Sequence, residues 1–184
     1  MGSVFPGIDD RIRRFINEQR MFFVATAPLA ESGHVNLSPK GLDSFRILDE
    51  VTVAYADLAG SGIETVAHVR ENGRIVLLFC AFQGAPKIIR LHGRGEVICE
   101  THSDFECLAG EFPELKGLRS IIRVTCTRIS DSCGFGVPLY DFVGQRSQLS
   151  DWAENKGADE VRKYVRDRNS TSIDGLLGIL RNKD

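Results

Sequence analysis

The chain has 184 residues, 42% of them hydrophobic and 26% charged, with a formal net charge of −2. That composition suits one soluble globular domain with a sizeable core. It excludes a protein built chiefly to neutralise nucleic-acid phosphates, because there is no basic excess. No stretch reaches the ~18–20 apolar residues of a membrane span. The first twenty residues are charged, and Pro6 stands where a myristoylation signal needs Ser or Thr, so neither a signal peptide nor an acyl anchor is expected. Five cysteines, Cys80, Cys99, Cys107, Cys126 and Cys133, show no C-x-x-C spacing. Reduced, packed thiols in a cytoplasmic protein are expected, with no metal site.

In chain order, Asp9 or Asp10 can cap a first helix whose inner face is Ile12, Phe15 and Ile16. "RMFFVATA" is a strand, "PLAESG" a turn, and "HVNLS" a second strand of the same hairpin. In that second strand Val35 and Leu37 alternate as the buried face, and Pro39 is expected to end it, leaving Lys40 beyond. A third strand runs over Val51–Ala56, with Asp57 as a turn residue or ligand contact. "GSGIET" then opens a helix, with Ser61 and Glu64 spaced as a capping box and Ile63, Val66, Ala67 and Val69 as its apolar face. "NGRIVLLFCAF" is a buried strand. "KIIRLHGRGEVICE" is a long one whose internal glycines, Gly93 and Gly95, mark a bend or bulge. Residues 103–115 hold a short helix, and "RSIIRVTCTRIS" is a sixth strand. After Ser130 come a glycine-rich aromatic segment, two helices and an apolar tail.

Six strands, one intervening helix and terminal helices predict a mainly β fold with peripheral helices, a small antiparallel barrel. A doubly wound α/β sheet fits less well, because strands and helices do not alternate. A barrel domain over residues 1–130 and a C-terminal helical extension over 131–184, packed on the barrel or on a partner subunit, are expected.

Two stretches could carry chemistry. The helix start at Gly60–Thr65 offers backbone N–H groups, the positive end of a dipole and the Ser61 and Thr65 hydroxyls, a setting that suits phosphate. It also reads as an ordinary capped turn. It is not a P-loop, as no Lys follows in the required place. In "PKIIRLHGRG", Arg90 and His92 share one strand face, either as a clamp for an anion or ring or as an outward polar face. His68 reads as a packed or surface histidine. No activated nucleophile or paired carboxylate is evident, so catalysis, if present, would come from a cofactor.

The order "FFVATA", "HVNLSPKG", "VAYADL", "GSGIETVAHVRENGRIVLLFCAF", "PKIIRLHGRGEV" resembles the pyridoxamine 5′-phosphate oxidase-like family of FMN-binding split barrels, over residues ~10–100. The resemblance implies a six-stranded antiparallel split β-barrel that forms a homodimer, with FMN in two clefts between the subunits. It places Asn36, Leu37, Ser38 and Lys40 along the isoalloxazine and Tyr55, Asp57, Ser61 and Thr65 about the ribityl phosphate, with Arg90 approaching from a neighbouring strand. It implies a flavin-dependent oxidoreductase acting on a small molecule, with no catalytic side chain assigned. A non-catalytic flavin carrier or sensor, and a barrel using deazaflavin or haem, are the alternatives. The oxidases proper carry an Arg-Lys pair where this chain has Glu64 and Thr65, and end in an Arg-x-His element that is absent here. Both departures argue against vitamin B6 oxidation. Tyr140, Trp152 and Arg168 are candidates for covering the flavin or shaping a substrate pocket from the C-terminal region; helix packing for the two aromatics and a solvated charge for Arg168 are the ordinary readings.

Overall fold

The computed structural model describes residues 2–179. Met1 and the last part of the apolar tail, residues 180–184, lie outside the described residues. The described elements are β1 (Val4–Phe5), α1 (Asp10–Glu18), β2 (Phe22–Thr26), β3 (Asn36–Lys40), β4 (Phe45–Ile47), β5 (Thr52–Leu58), α2 (Glu64–Asn72), β6 (Arg74–Cys80), β7 (Ile88–Ile98), α3 (Phe105–Ala109), β8 (Leu118–Ser132), α4 (Gln148–Lys156) and α5 (Ala158–Arg168). No described helix is long and apolar enough to cross a membrane.

The six strands expected from alternation are all present, and β1 and β4 bring the described total to eight. Each added strand is two or three residues long, too short for period-two alternation to register. All pairings between the named strands are antiparallel, in the order β3-β2-β6-β7-β8-β5-β4, with β1 alongside β8. The path does not close by hydrogen bonds. It curls until its ends meet through side chains. Phe22 of β2 lies 5.2 Å from Phe45 of β4 and 5.7 Å from Tyr55 of β5, ring centre to ring centre, and both Phe22 and Phe45 contact Phe79 of β6. This is a split barrel held at the seam by aromatic packing.

The barrel interior is the inward face of each strand: Phe22 and Val24, Val53 and Tyr55, Ile75, Leu77 and Phe79, Ile89 and Leu91, Ile122 and Val124. Ile8, Ile12 and Ile16 from the α1 side and Ile63, Val66 and Val69 of the α2 region join the same core. β5 is buried on both faces, because Ala54 and Ala56 on its other side pack with Phe105, Leu108 and Phe112 of the α3 region. The expected break in β7 is a register shift between His92 and Gly93. A Cβ on Gly93 would clash with the Thr125 carbonyl oxygen, so only glycine fits there.

Asp9 is the cap of α1: its Oδ1 accepts from Ile12 N at 2.8 Å. The Ser61–Glu64 capping box does not form. Helix α2 begins at Glu64, Ile63 is the capping residue, and no side chain caps the end. Ser61 sits two residues ahead of that position, and the helix start is set by Ile63 entering the core. Asp9→Ala is therefore expected to lose about 1 kcal/mol of stability and Ser61→Ala less than about 0.5 kcal/mol, measured by urea denaturation.

Candidate functional site

The seam of the barrel brings polar groups from five parts of the chain together. β3 is at the end of the sheet, where a proline is tolerated. Pro39 does not end the strand: it pairs with Phe23, and Lys40 pairs with Phe22. Directly opposed residues share a face. Asn36, Ser38 and Lys40 therefore point with Thr26, Val24 and Phe22 toward the interior, and Val35 and Leu37 point outward. This inverts the face expected from hydrophobicity. Val35 and Leu37 are 74% and 66% exposed.

The inward polar row connects to α2. Asn36 Nδ2 donates to Thr65 Oγ1 at 2.9 Å and to Thr26 Oγ1 at 3.3 Å, and Ser38 Oγ donates to Asn36 Oδ1 at 3.1 Å. Thr26 Oγ1 also bonds His68 Nδ1 at 2.9 Å. His68 is fully buried within α2, and burial lowers its pKa.

Lys40 joins a second group. Its Nζ donates to Asp57 Oδ1 at 3.2 Å and lies 5.9 Å from the centre of the Tyr55 ring. Asp57 is fully buried on β5 rather than in a turn. Its Oδ2 accepts from Arg119 Nε at 2.7 Å and from Ser120 Oγ at 3.2 Å. Burial opposes ionisation of Asp57, but Arg119 and then Lys40 outweigh it, and the carboxyl lies below the ordinary carboxylate range. With the folded value depressed, the stability Asp57 contributes is present above its unfolded value of about 3.9 and is lost as pH falls through the lower folded value. An acid titration of wild type against Asp57→Asn should show the two stabilities converging below about pH 4.

Tyr55 is also fully buried. Burial first and the Asp57 carboxylate second hold its phenol protonated, well above the ordinary range. Tyr55 Oη and His68 Nε2 are buried without a hydrogen-bond partner among the described residues. Buried polar atoms rarely stay unpaired, so these two point to a ligand or bridging water.

Of the residues singled out in the sequence, Asn36, Ser38, Lys40, Tyr55, Asp57 and Thr65 come together. Leu37 is on the opposite face of β3. Ser61 is exposed in the turn before α2, and Arg90 is away from the seam, donating to Ser132 Oγ at 2.8 Å. Arg119, Ser120, Thr26 and Asn169 were not legible as site residues. Arg119 and Ser120 stand 62 and 63 residues after Asp57, and only the β5–β8 pairing brings them beside it.

Lys40 also lines a groove of about 1170 Å³. Its other walls include Arg20, Met21, Phe82, Tyr140, Phe142 and Arg146. The wall from the aromatic segment is pinned in place: Tyr140 N donates to Phe82 O at 2.9 Å, Gln145 Nε2 donates to Arg20 O at 3.1 Å, and Arg20 lies 5.5 Å from the Phe142 ring centre. Tyr140 thus forms the groove, while Trp152 packs edge-on against Tyr164 at 5.1 Å and Arg168 is exposed. The five cysteines are unpaired, and burial pushes the Cys126 thiol up to about 11. Among the described residues no cluster of His, Cys, Asp or Glu could hold a metal ion.

The donors suit a flavin in several respects. The α2 N-terminus has no side-chain cap, and free backbone N–H groups at a helix start attract anions. The Thr65 hydroxyl, the Lys40 ammonium and the unpartnered Tyr55 Oη surround the same seam. The Glu64 carboxylate, which would repel a phosphate, is engaged by Ile173 N at 3.3 Å.

Residues 8–133 match the family model described as pyridoxamine 5′-phosphate oxidase. A curated relative from Aspergillus flavus, the pyridoxamine 5′-phosphate oxidase family protein ustO, is 37% identical over 97% of this chain and 78% of its own. Among solved structures, HupZ from Group A Streptococcus aligns over 66% of this chain and 91% of its own with a TM-score of 0.51 and 23% identity. An FAD-binding protein from Mesorhizobium loti aligns over 71% and 96% with a TM-score of 0.50 and 12% identity. These structural likenesses concern the fold.

Proposed function

This chain belongs to the pyridoxamine 5′-phosphate oxidase family, and from that membership we propose that it binds FMN at the barrel seam and works as a flavin-dependent oxidoreductase on a small molecule. The observation that carries the reading is the meeting of polar groups at the seam: Lys40 lies 5.9 Å from the ring of Tyr55, whose Oη is unpartnered, and Thr65 in the first turn of the uncapped α2 is bonded to Asn36 of β3. Flavin-binding among fold neighbours, as in the Mesorhizobium loti protein, supports it. FMN would supply hydride acceptance and return. Asn36, Ser38 and Lys40 would lie along the ring, and Tyr55, Asp57, Ser61 and Thr65 toward the phosphate. Leu37 and Arg90, which face away from this seam, would serve only a cleft completed by a second subunit.

The chain's own contributions follow from the geometry. Lys40 offers a positive charge that would stabilise negative charge on a reduced ring. Tyr55, protonated and enclosed, offers a donor only. The groove beyond Lys40 would receive the substrate between Phe82, Tyr140 and Phe142 and exclude water from it. A homodimer is supported by the outward Val35 and Leu37 and by the exposed Phe135, Leu139 and Val143, apolar side chains that a monomer would leave wet. Residues 131–184 would act as an extension closing the seam, and the unpaired thiols fit a cytoplasmic setting.

One observation favours a non-catalytic flavin carrier: the two cations of the seam, Lys40 and Arg119, are both engaged by Asp57. Stopped-flow reduction of the FMN-loaded protein by NADH or NADPH, followed by reoxidation with oxygen and a substrate panel, separates the two. Turnover supports the oxidoreductase, and a flavin that is never reduced or reoxidised supports the carrier. The absorption spectrum decides between flavin and haem, because a Soret band belongs to haem alone.

A further inference from the structure

We infer that Asn169 is a positioning residue for Lys40, acting through Arg119 and Asp57, so that docking of the C-terminal segment sets how available Lys40 is to a ligand. Two cations share one buried carboxylate, and their holds on it differ. Arg119 contacts both oxygens of Asp57, through Nε at 2.7 Å and Nη2 at 3.4 Å. Lys40 makes a single bond of 3.2 Å to Oδ1. The Arg119 side chain is 5% exposed and that of Lys40 is 21% exposed. Arg119 is thus the enclosed counterion, and Lys40 the one that can exchange Asp57 for another acceptor.

The third arm of the guanidinium explains why Arg119 keeps that role. Its Nη1 donates to Asn169 Oδ1 at 2.8 Å, and Asn169 Nδ2 donates to Gly60 O at 3.0 Å. Asn169 is fully buried where α5 ends, with its own N–H on Val165 O at 2.8 Å and its carbonyl accepting from Ile179 N at 3.0 Å. The same segment crosses the start of α2 and the approach to β3: Ile173 N meets Glu64 Oε1, and Asp174 accepts from His34 N at 2.8 Å. Without the Asn169 side chain, Arg119 loses the partner that squares its fork to Asp57. The carboxylate then leans on Lys40 and takes it out of reach of a ligand.

The first test does not need flavin. Trace labelling of lysines with acetic anhydride, read by mass spectrometry, compares Lys40 with the exposed Lys156 and Lys163. In Asn169→Ala, Lys40 labelling relative to those references should fall by at least about threefold, the low end of coupling within one hydrogen-bond network. Asn169→Asp keeps the volume and draws Arg119 off Asp57, so it should slow Lys40 labelling too, and it decides the matter if the alanine variant does not fold. Unchanged or faster Lys40 labelling overturns the inference, since a merely structural Asn169 would loosen the site and speed the reaction. The second test rests on the flavin reading. Asn169→Ala should weaken FMN binding at least about fivefold in wild type and less than about twofold in a Lys40→Ala background. Additive losses overturn the relay. A wild type that binds no FMN overturns the flavin reading alone, and the labelling result still decides the relay.

Discussion

Asp57→Asn should lose about 3–5 kcal/mol of folding stability, the largest effect expected of any single change in the cleft. Asparagine has nearly the same shape, so the loss is electrostatic rather than a matter of volume. Asp57 is fully buried between two cations, and Arg119 is almost fully enclosed. Removing the negative charge leaves a guanidinium with little water and only neutral acceptors: Asn169 Oδ1, Gly60 O and the introduced amide oxygen. Urea denaturation of the variant should show an earlier midpoint with an unchanged slope. Adding Arg119→Met should recover part of the loss, because the pair is then replaced by apolar contacts and no charge stays unpaired. A single variant as stable as wild type would mean that Arg119 escapes to solvent.

Lys40→Ala should weaken FMN binding by about 10- to 150-fold, the value of a charge-assisted hydrogen bond to an anionic ligand. Its effect on folding should be small, about 1 kcal/mol, because Arg119 remains to compensate Asp57. Lys40→Ala therefore costs affinity with little stability, whereas Asp57→Asn costs stability. Equilibrium titration of FMN fluorescence beside urea denaturation reads both. If Lys40→Ala binds FMN as tightly as wild type, Lys40 serves only as a counterion.

The barrel was legible in the sequence because its long strands carry their own pattern. The stretch at β6 and the glycine break in β7 both predict what the structure holds. The β3 strand shows where such reading stops. Alternation marks Val35 and Leu37 as one face, but a single strand does not say which face is inside. Its pairing with Phe22, Val24 and Thr26 decides that, and the polar face turns inward. The helix start failed for a local reason. Ser61 has the right spacing to Glu64, but burial of Ile63 fixes the first turn and overrides the cap. Lys40 came to the site through the family resemblance, because a lysine between proline and glycine reads equally well as a surface charge. Arg119 and Asn169 did not stand out: an arginine opening a strand and an asparagine ending a helix are both common, and their meaning comes from contacts across 50 residues or more.

The proposed FMN site is the seam between β3, β5 and the start of α2. Titrating FMN with the purified protein, with its mass in solution measured on the same sample, tests it most directly. Flavin absorption bands, one FMN bound per chain at about 1 μM or tighter, and the mass of a dimer are expected. No binding of FMN at about 100 μM would contradict it.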